Sequence, residues 1–213
     1  MKRFLIADDH FIVRSGISML LKSEFLSAEI DECSDGQCVW KKLENESYDL
    51  VVLDISMPGL DSTSLLKNAL ARRPGQKILI LSVSPEEIYS KKYLKLGARG
   101  YINKAADGVE IRKAITTILN NKRYLSPKMQ EMMMAEALGG KAGNPFDKLS
   151  NRELEVLVHV LAGKNITEIA RLLSVHTSTA ATHKARILQK LGVANVLELN
   201  RVAQMFDAEY RPD

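Results

Sequence analysis

Residues 50–54, Leu-Val-Val-Leu-Asp, place four apolar residues directly before a carboxylate, and Met57-Pro58-Gly59 follows at once. A continuous apolar run of this length, closed by turn residues, reads as a strand buried on both faces. Strands buried on both faces belong to parallel sheets covered by helices. Asp54 then stands at the carboxyl end of its strand, the edge where open α/β sheets hold their ligands. An acid at that edge serves as a metal ligand, a nucleophile, or both.

The rest of the first 120 or so residues alternates in the same way. Arg3–Ala7, Ala28–Cys33, Ile78–Ser82 and Gly100–Ile102 read as further strands. Helical spacing covers Phe11–Phe25, Gln37–Glu46, Thr63–Ala71, Glu86–Leu96 and Gly108–Asn120. Strands separated by helices predict one five-stranded parallel, doubly wound sheet covered on both faces. The alternation then ends. Ser126–Leu138 is Met-rich and helix-prone, with some of Met132, Met133 and Met134 expected to pack against the neighbouring domain as adaptable fillers rather than to form a binding surface. Residues 139–145, Gly-Gly-Lys-Ala-Gly-Asn-Pro, carry linker chemistry.

From Leu149 onward only helical signals remain. Ser150-Asn151-Arg152-Glu153 is a capping box, opening a helix that runs to about Ala162 and stops at Gly163. Shorter helices are expected at 167–173, 177–191 and 196–206, the middle pair having helix-turn-helix spacing. The chain thus divides into an α/β domain over 1–122, a helical extension and linker over 123–147, and an all-α four-helix domain over 148–213.

Composition sets the class. With 46% apolar and 26% charged residues the chain is ordinary for a globular protein. No apolar run approaches the roughly 20 residues that span a bilayer, and Met1-Lys2-Arg3-Phe4 enters a strand rather than a signal peptide. A cytoplasmic protein is expected, and Cys33 and Cys38 are accordingly expected as reduced thiols, with a disulfide or a metal pair as the less favoured alternatives. The net charge of +4 is modest, but no acid lies between Glu168 and Glu198, a window holding Arg171, Lys184, Arg186 and Lys190. That is a local basic face of the kind that meets phosphate backbones.

Asp8 and Asp9 follow the first strand and so share the edge of Asp54. Carboxylates converging there repel one another unless a cation sits among them, and hard oxygen ligands suit Mg²⁺. Ser82 ends the fourth strand, and Lys104 follows the fifth. A hydroxyl, an ammonium and a divalent cation around a carboxylate can neutralise an incoming phosphoryl group while the carboxylate attacks in line.

Asp8-Asp9, Asp54 with Met57-Pro58-Gly59, Ser82, Tyr101 and Lys104 together resemble the receiver domain of bacterial two-component response regulators, a flavodoxin-like fold. The resemblance implies that Asp54 accepts a phosphoryl group from a sensor histidine kinase. It implies that Asp8, Asp9, Asp54 and the backbone carbonyl of Ser56 hold Mg²⁺. Ser82 and Lys104 would grip the phosphate, and Tyr101 would swing inward as the switch residue. Ser56 and Ser84 fall where that family tunes phosphate lifetime. The sequence departs from the pattern at Ala105, where proline often follows the lysine, and at Ser62, where glycine is usual.

Leu149–Leu157, Gly163–Leu173, residues 179–183 and Lys190-Leu191-Gly192-Val193 look like the DNA-binding domain of LuxR and NarL type regulators. The resemblance implies that the helix over 177–191 enters the major groove and that dimers read an inverted repeat. Thr179, Thr182, His183, Lys184, Arg186 and Lys190 are its candidate DNA contacts. The departures are Ala181, replacing a common lysine, Ala185, and His176, which leaves Thr177 as a substitute cap. Affinity is therefore expected to rest on phosphate contacts and to be steep in salt.

Together these features predict a phosphorylation-regulated transcription factor, a homodimer when phosphorylated. The alternative is a phosphate-independent regulator or protein-interaction module that kept the receiver fold and binds DNA weakly. Slow loss of the phosphoryl group is the only catalysis expected, since Ser56 occupies the place where an aspartate-nucleophile phosphatase has a second acid.

Overall fold

The computed structural model describes residues 1–57, 59–84, 86–137 and 145–206; Pro58 of the turn after Asp54 and 138–144 of the expected linker lie outside them. The chain forms two compact units, Met1–Met134 and Ala135–Asp213.

In the first unit, β1 (Lys2–Ala7), β2 (Ala28–Cys33), β3 (Leu50–Leu53), β4 (Ile78–Ser82) and β5 (Gly100–Asn103) form one sheet in the order β2-β1-β3-β4-β5. Every pairing is parallel. All residues of β3 and β4 are buried, as their unbroken apolar runs require. Helices α1 (Phe11–Glu24), α2 (Gly36–Asn45), α3 (Ser62–Arg72), α4 (Glu86–Lys95) and α5 (Gly108–Leu119) connect the strands. Phe4, Ile6, Val52, Leu79 and Leu81 pack with Ile17 and Leu21 of α1 and Ile111, Ile115 and Ile118 of α5 in one core cluster. The expected elements are all present, with ends within a residue or two of the sequence reading.

The sheet's edges differ from its centre. β2 is an outer strand, and its exposed or half-exposed positions include Glu29, Asp31 and Glu32. Arg3 pairs with Glu29, Asp31 and Glu46 beside it.

Helix α6 (Pro127–Ala137) begins where the sequence places a helical extension. The Ser126 hydroxyl donates to Glu86 of α4 at 2.6 Å, and the Ser90 hydroxyl of α4 points to the Met129 sulfur at 2.9 Å. Met129 is the buried methionine. Of the triplet after it, Met133 and Met134 are exposed and Met132 half-exposed, so the methionine that packs on α4 is Met129.

The second unit contains a 3₁₀ turn over Pro145–Lys148, α7 (Asn151–Leu161), α8 (Ile166–Leu172), α9 (Thr177–Leu191) and α10 (Val196–Phe206). The turn replaces the expected loop at Pro145 and buries Phe146. Capping boxes start α7 at Ser150/Glu153 and α8 at Asn165/Glu168. Between α8 and α9 the chain reverses at Ser174, with φ 53°, and Val175 N–H closes back on the Ala170 carbonyl at 2.9 Å. Gly192, at φ 66°, ends α9 in the left-handed conformation that glycine adopts without steric cost.

Candidate functional site

Three backbone hydrogen bonds extend the sheet ladder past the strand ends and fix the site. Asp8 N–H donates to the Cys33 carbonyl at 3.0 Å, Asp54 N–H to that of Ala7 at 2.8 Å, and Lys104 N–H to that of Ser82 at 2.9 Å. Asp8, Asp54, Ser82 and Lys104 are thereby held at one carboxyl edge by the register of the sheet rather than by loop conformation. Asp8, Asp54 and Ser82 are buried at 2%, 1% and 0% exposure, whereas Asp9 is exposed.

Lys104 Nζ lies 2.7 Å from Asp8 Oδ2 and 2.8 Å from Asp54 Oδ2. Ser56 N–H donates to Asp54 Oδ1 at 3.0 Å, so the chain leaving β3 folds back over its own carboxylate. Burial pushes the Asp54 carboxyl above its ordinary value, against the pull of the Lys104 ammonium and the Ser56 amide. Burial acts on Lys104 in the opposite sense, but the two carboxylates outweigh it and hold the ammonium charged. The site is therefore an electrostatic compromise: two buried acids share one cation, and Asp54 is left with less solvation than its charge favours.

Ligand atoms of Asp8, Asp9, His10 and Asp54 all lie within 4.8 Å of one another. Asp8 Oδ2 is buried and receives no well-directed hydrogen bond, although the ammonium faces it. A buried carboxylate oxygen of that kind, among further carboxylates, fits a hard divalent cation. His10 was not foreseen. Its Nδ1 approaches Asp9 Oδ1 at 2.7 Å and Asp8 Oδ1 at 3.2 Å, and its place directly after the acid pair was the available signal.

The Ser82 hydroxyl accepts from Ser84 N–H at 3.2 Å and lies 3.5 Å from the Ser56 hydroxyl. Tyr101 is already turned inward at 1% exposure, its hydroxyl donating to the Ser84 carbonyl at 2.9 Å. The ring lies beside Tyr93, 6.3 Å between centroids. Burial pushes the Tyr101 phenol far above its ordinary value, so it stays a donor. Ser62, the departure from glycine, is buried and shares a 2.7 Å hydrogen bond with the Tyr93 hydroxyl. It ties α3 to α4 beneath the site.

The two cysteines are joined. Cys33 at the end of β2 and Cys38 in the first turn of α2 form a disulfide, with Cα atoms 5.6 Å apart. This overturns the expectation of free thiols. Asp35, the α2 N-cap, accepts from Cys38 N–H at 2.8 Å, and this tight strand-to-helix corner brings the sulfurs within bonding reach.

In the second unit the candidate contacts lie on α9, and they separate by burial. Thr179, Thr182 and Arg186 are exposed, as are Ser178, Ala181, Ala185 and Gln189 on the same outward stripe. Ser178 and Gln189 are polar members that the sequence reading missed; counting 3.6 residues per turn from buried Ala180 and Ile187 would have found them. The Thr182 hydroxyl donates to the Ser178 carbonyl at 2.9 Å, leaving its methyl and lone pairs outward. His183 and Lys184 are half-buried, and His183 Nδ1 is buried without a hydrogen-bond partner. Lys190 is paired with Glu153 at 2.7 Å, a carboxylate that also serves the α7 capping box. Thr177 lies within α9, and its N-cap is His176 with no side-chain hydrogen bond, so the expected substitute cap does not form.

Comparison with known proteins agrees with both halves. Residues 4–116 match the response regulator receiver domain, and residues 147–203 match the bacterial regulatory proteins of the luxR family. Oxygen regulatory protein NreC of Staphylococcus carnosus is 34% identical over 92% of this chain and 94% of its own. Response regulator UvrY of Escherichia coli K12 is 29% identical, covering 93% and 92%. Among solved structures, RcsB of Salmonella enterica serovar Typhimurium, bound to promoter P1flhDC in the presence of phosphomimetic BeF3-, aligns with a TM-score of 0.64 and 25% identity. That alignment covers 97% of this chain and 98% of that one. No described helix is long and apolar enough to cross a membrane. With a receiver fold closing around a buried aspartate and a helix-turn-helix unit behind it, the chain belongs to the response regulators, as a DNA-binding two-component regulator of the LuxR type.

Proposed function

We propose that Asp54 is the phosphoryl acceptor and that a sensor histidine kinase is its donor. The observation that carries this is the placement of Asp54 at 1% exposure on the sheet's carboxyl edge, with an ammonium 2.8 Å away. Asp8, Asp9, Asp54 and the Ser56 carbonyl would hold Mg²⁺, which when bound neutralises charge on the phosphoryl oxygens. Lys104 can release Asp54 and follow the charge to a phosphoryl oxygen, and the Ser82 hydroxyl, which accepts from Ser84 N–H and lies 3.5 Å from the Ser56 hydroxyl, can turn its proton there. Tyr101, the switch residue, would respond as the Ser82 hydroxyl moves. Ser56 and Ser84 border the route of hydrolytic water, so phosphate loss is slow and is the chain's only catalysis.

The outward stripe of α9, centred on Thr182 and Arg186, enters the major groove, with Thr179, His183 and Lys184 at its flanks. Phosphorylation favours a homodimer, and the protein works in the cytoplasm. The RcsB relative is described as promoter-bound with a phosphomimetic, which supports the coupling of the two events. Two measurements test the reading. Intact mass after incubation with acetyl phosphate and Mg²⁺ should show one added phosphoryl group, absent in Asp54→Asn; labelling of Asp54→Asn would move the acceptor elsewhere. Selection of genomic fragments with and without beryllofluoride should enrich a repeated motif in the activated sample. Equal enrichment in both samples would remove the switch and leave a phosphate-independent regulator.

A further inference from the structure

The β2–α2 corner touches the acid site in three places. The Cys33 carbonyl accepts the Asp8 N–H at 3.0 Å. Glu32, next in the chain, binds Arg14 at 3.2 Å, and the same guanidinium donates to the Asp8 carbonyl at 2.8 Å. Gly36, two residues before Cys38, packs so closely on the turn after β3 that a Cβ there would lie 3.0 Å from Leu60 Cα and 3.1 Å from the Gly59 carbonyl oxygen. That turn is the one leaving Asp54. A bond between Cys33 and Cys38 therefore clamps a corner that braces Asp8 on one side and the Asp54 turn on the other.

We propose that Cys33–Cys38 is a reversible thiol–disulfide modification site that sets the cation affinity of the phosphoacceptor pocket. This rests on the phosphoacceptor reading above. The two sulfurs differ in access: Cys33 is buried at 2% exposure and Cys38 is half-exposed. An external dithiol attacks Cys38 Sγ as a thiolate, and the Cys33–Cys38 bond breaks. Cys33 leaves as a thiolate and takes a proton. The donor's second thiol then resolves the mixed disulfide, releasing Cys38, which is protonated in turn, while the donor becomes a disulfide. Two electrons and two protons enter the protein. Cys38 sits in the first turn of α2, where the positive end of the helix accommodates a departing thiolate.

With the bond open, the corner keeps the Asp35 cap, the Val39 N–H bond to the Asp35 carbonyl at 3.3 Å and the Gly36 contact, but loses its one covalent tie across the turn. The Cys33 carbonyl is then a looser anchor for Asp8. Loosening the backbone that aims a ligating carboxylate weakens cation binding on the scale of a disturbed outer shell, about tenfold, and phosphorylation by a small donor slows with it.

The experiment uses the full chain, oxidised with oxidised glutathione or reduced with dithiothreitol, its thiol content counted by alkylation and mass. Mg²⁺ affinity is read by calorimetry and by fluorescence of the single tryptophan, Trp40 of α2. The oxidised protein should bind Mg²⁺ about tenfold tighter, and Cys38→Ser should show the reduced value in both buffers. Equal affinity in the two states, failure of the disulfide to form, or a redox response that survives in Cys38→Ser would each overturn the proposal. Absence of Mg²⁺ binding in every sample would instead overturn the phosphoacceptor reading on which it stands.

Discussion

Lys104→Gln tests the electrostatics of the pocket most directly. The wild-type ammonium is 7% exposed and serves two carboxylates that are each 2% exposed or less. Removing one partner of a buried ion pair strands the remaining charge and costs about 3 kcal/mol or more. For a domain of this size that lowers the melting temperature by about 10 °C. Mg²⁺ that binds only the native state at about a hundred times its dissociation constant returns about 2.7 kcal/mol. At one fixed Mg²⁺ concentration the variant should gain more than the wild type, because no ammonium competes for the carboxylates. The assay is thermal unfolding followed by Trp40, which lies in the first unit, in EDTA and in Mg²⁺. Equal melting of the two proteins in EDTA would show that Lys104 does not neutralise the pair. A gain with Mg²⁺ no larger in the variant would show that the ammonium and the cation do not share a site.

Further outcomes follow from the second unit. Ser174→Gly, at φ 53°, should stabilise it by about 1 kcal/mol in a chemical melt, since glycine enters the left-handed region without the clash a Cβ incurs. Arg186→Ala, whose side chain is exposed, should weaken DNA binding and reduce the salt slope by about 0.9 in log–log terms, measured by fluorescence anisotropy. Lys184 is a poorer probe, because its half-buried stem mixes packing with charge. Burial pushes the Glu153 carboxyl up, but Lys190 and the Ser150 cap outweigh it and hold it below its ordinary 4.5. Its contribution to stability is present above that value and lost as pH falls through the depressed one; acid melts of Glu153→Gln should lack this loss.

The sheet was legible because Leu50–Leu53 and Ile78–Leu81 are apolar without interruption, and because Asp8, Ser34, Asp54 and Lys104 stand directly after their strands. The acid site followed, since in a parallel sheet all carboxyl ends share one edge, so Asp8, Asp54, Ser82 and Lys104 meet by topology alone. What escaped depended on side-chain direction. Glu153 and Lys190 are 37 positions apart and pair only because α7 packs on α9. Met129 rather than Met132–134 is buried because the phase of α6 on α4 is set by Ser126 and Ser90. The disulfide escaped because a five-residue spacing does not reveal how sharply the chain turns from β2 into α2. His10 was passed over because an exposed histidine at a helix start is usually unremarkable, and only the carboxylates at its ring nitrogen give it a role.

The acidic outer strand bears on how copies of this protein can meet. Two β2 strands laid side by side would set Glu29, Asp31 and Glu32 of one against the same acids of the other, and opposed like charges disfavour pairing. The β2 edge resists pairing with a copy of itself by as much of that repulsion as Arg3, Lys42 and Arg14 leave unneutralised. Contact through helical surfaces avoids that opposition and can be made and broken without the sheets fusing into an aggregate.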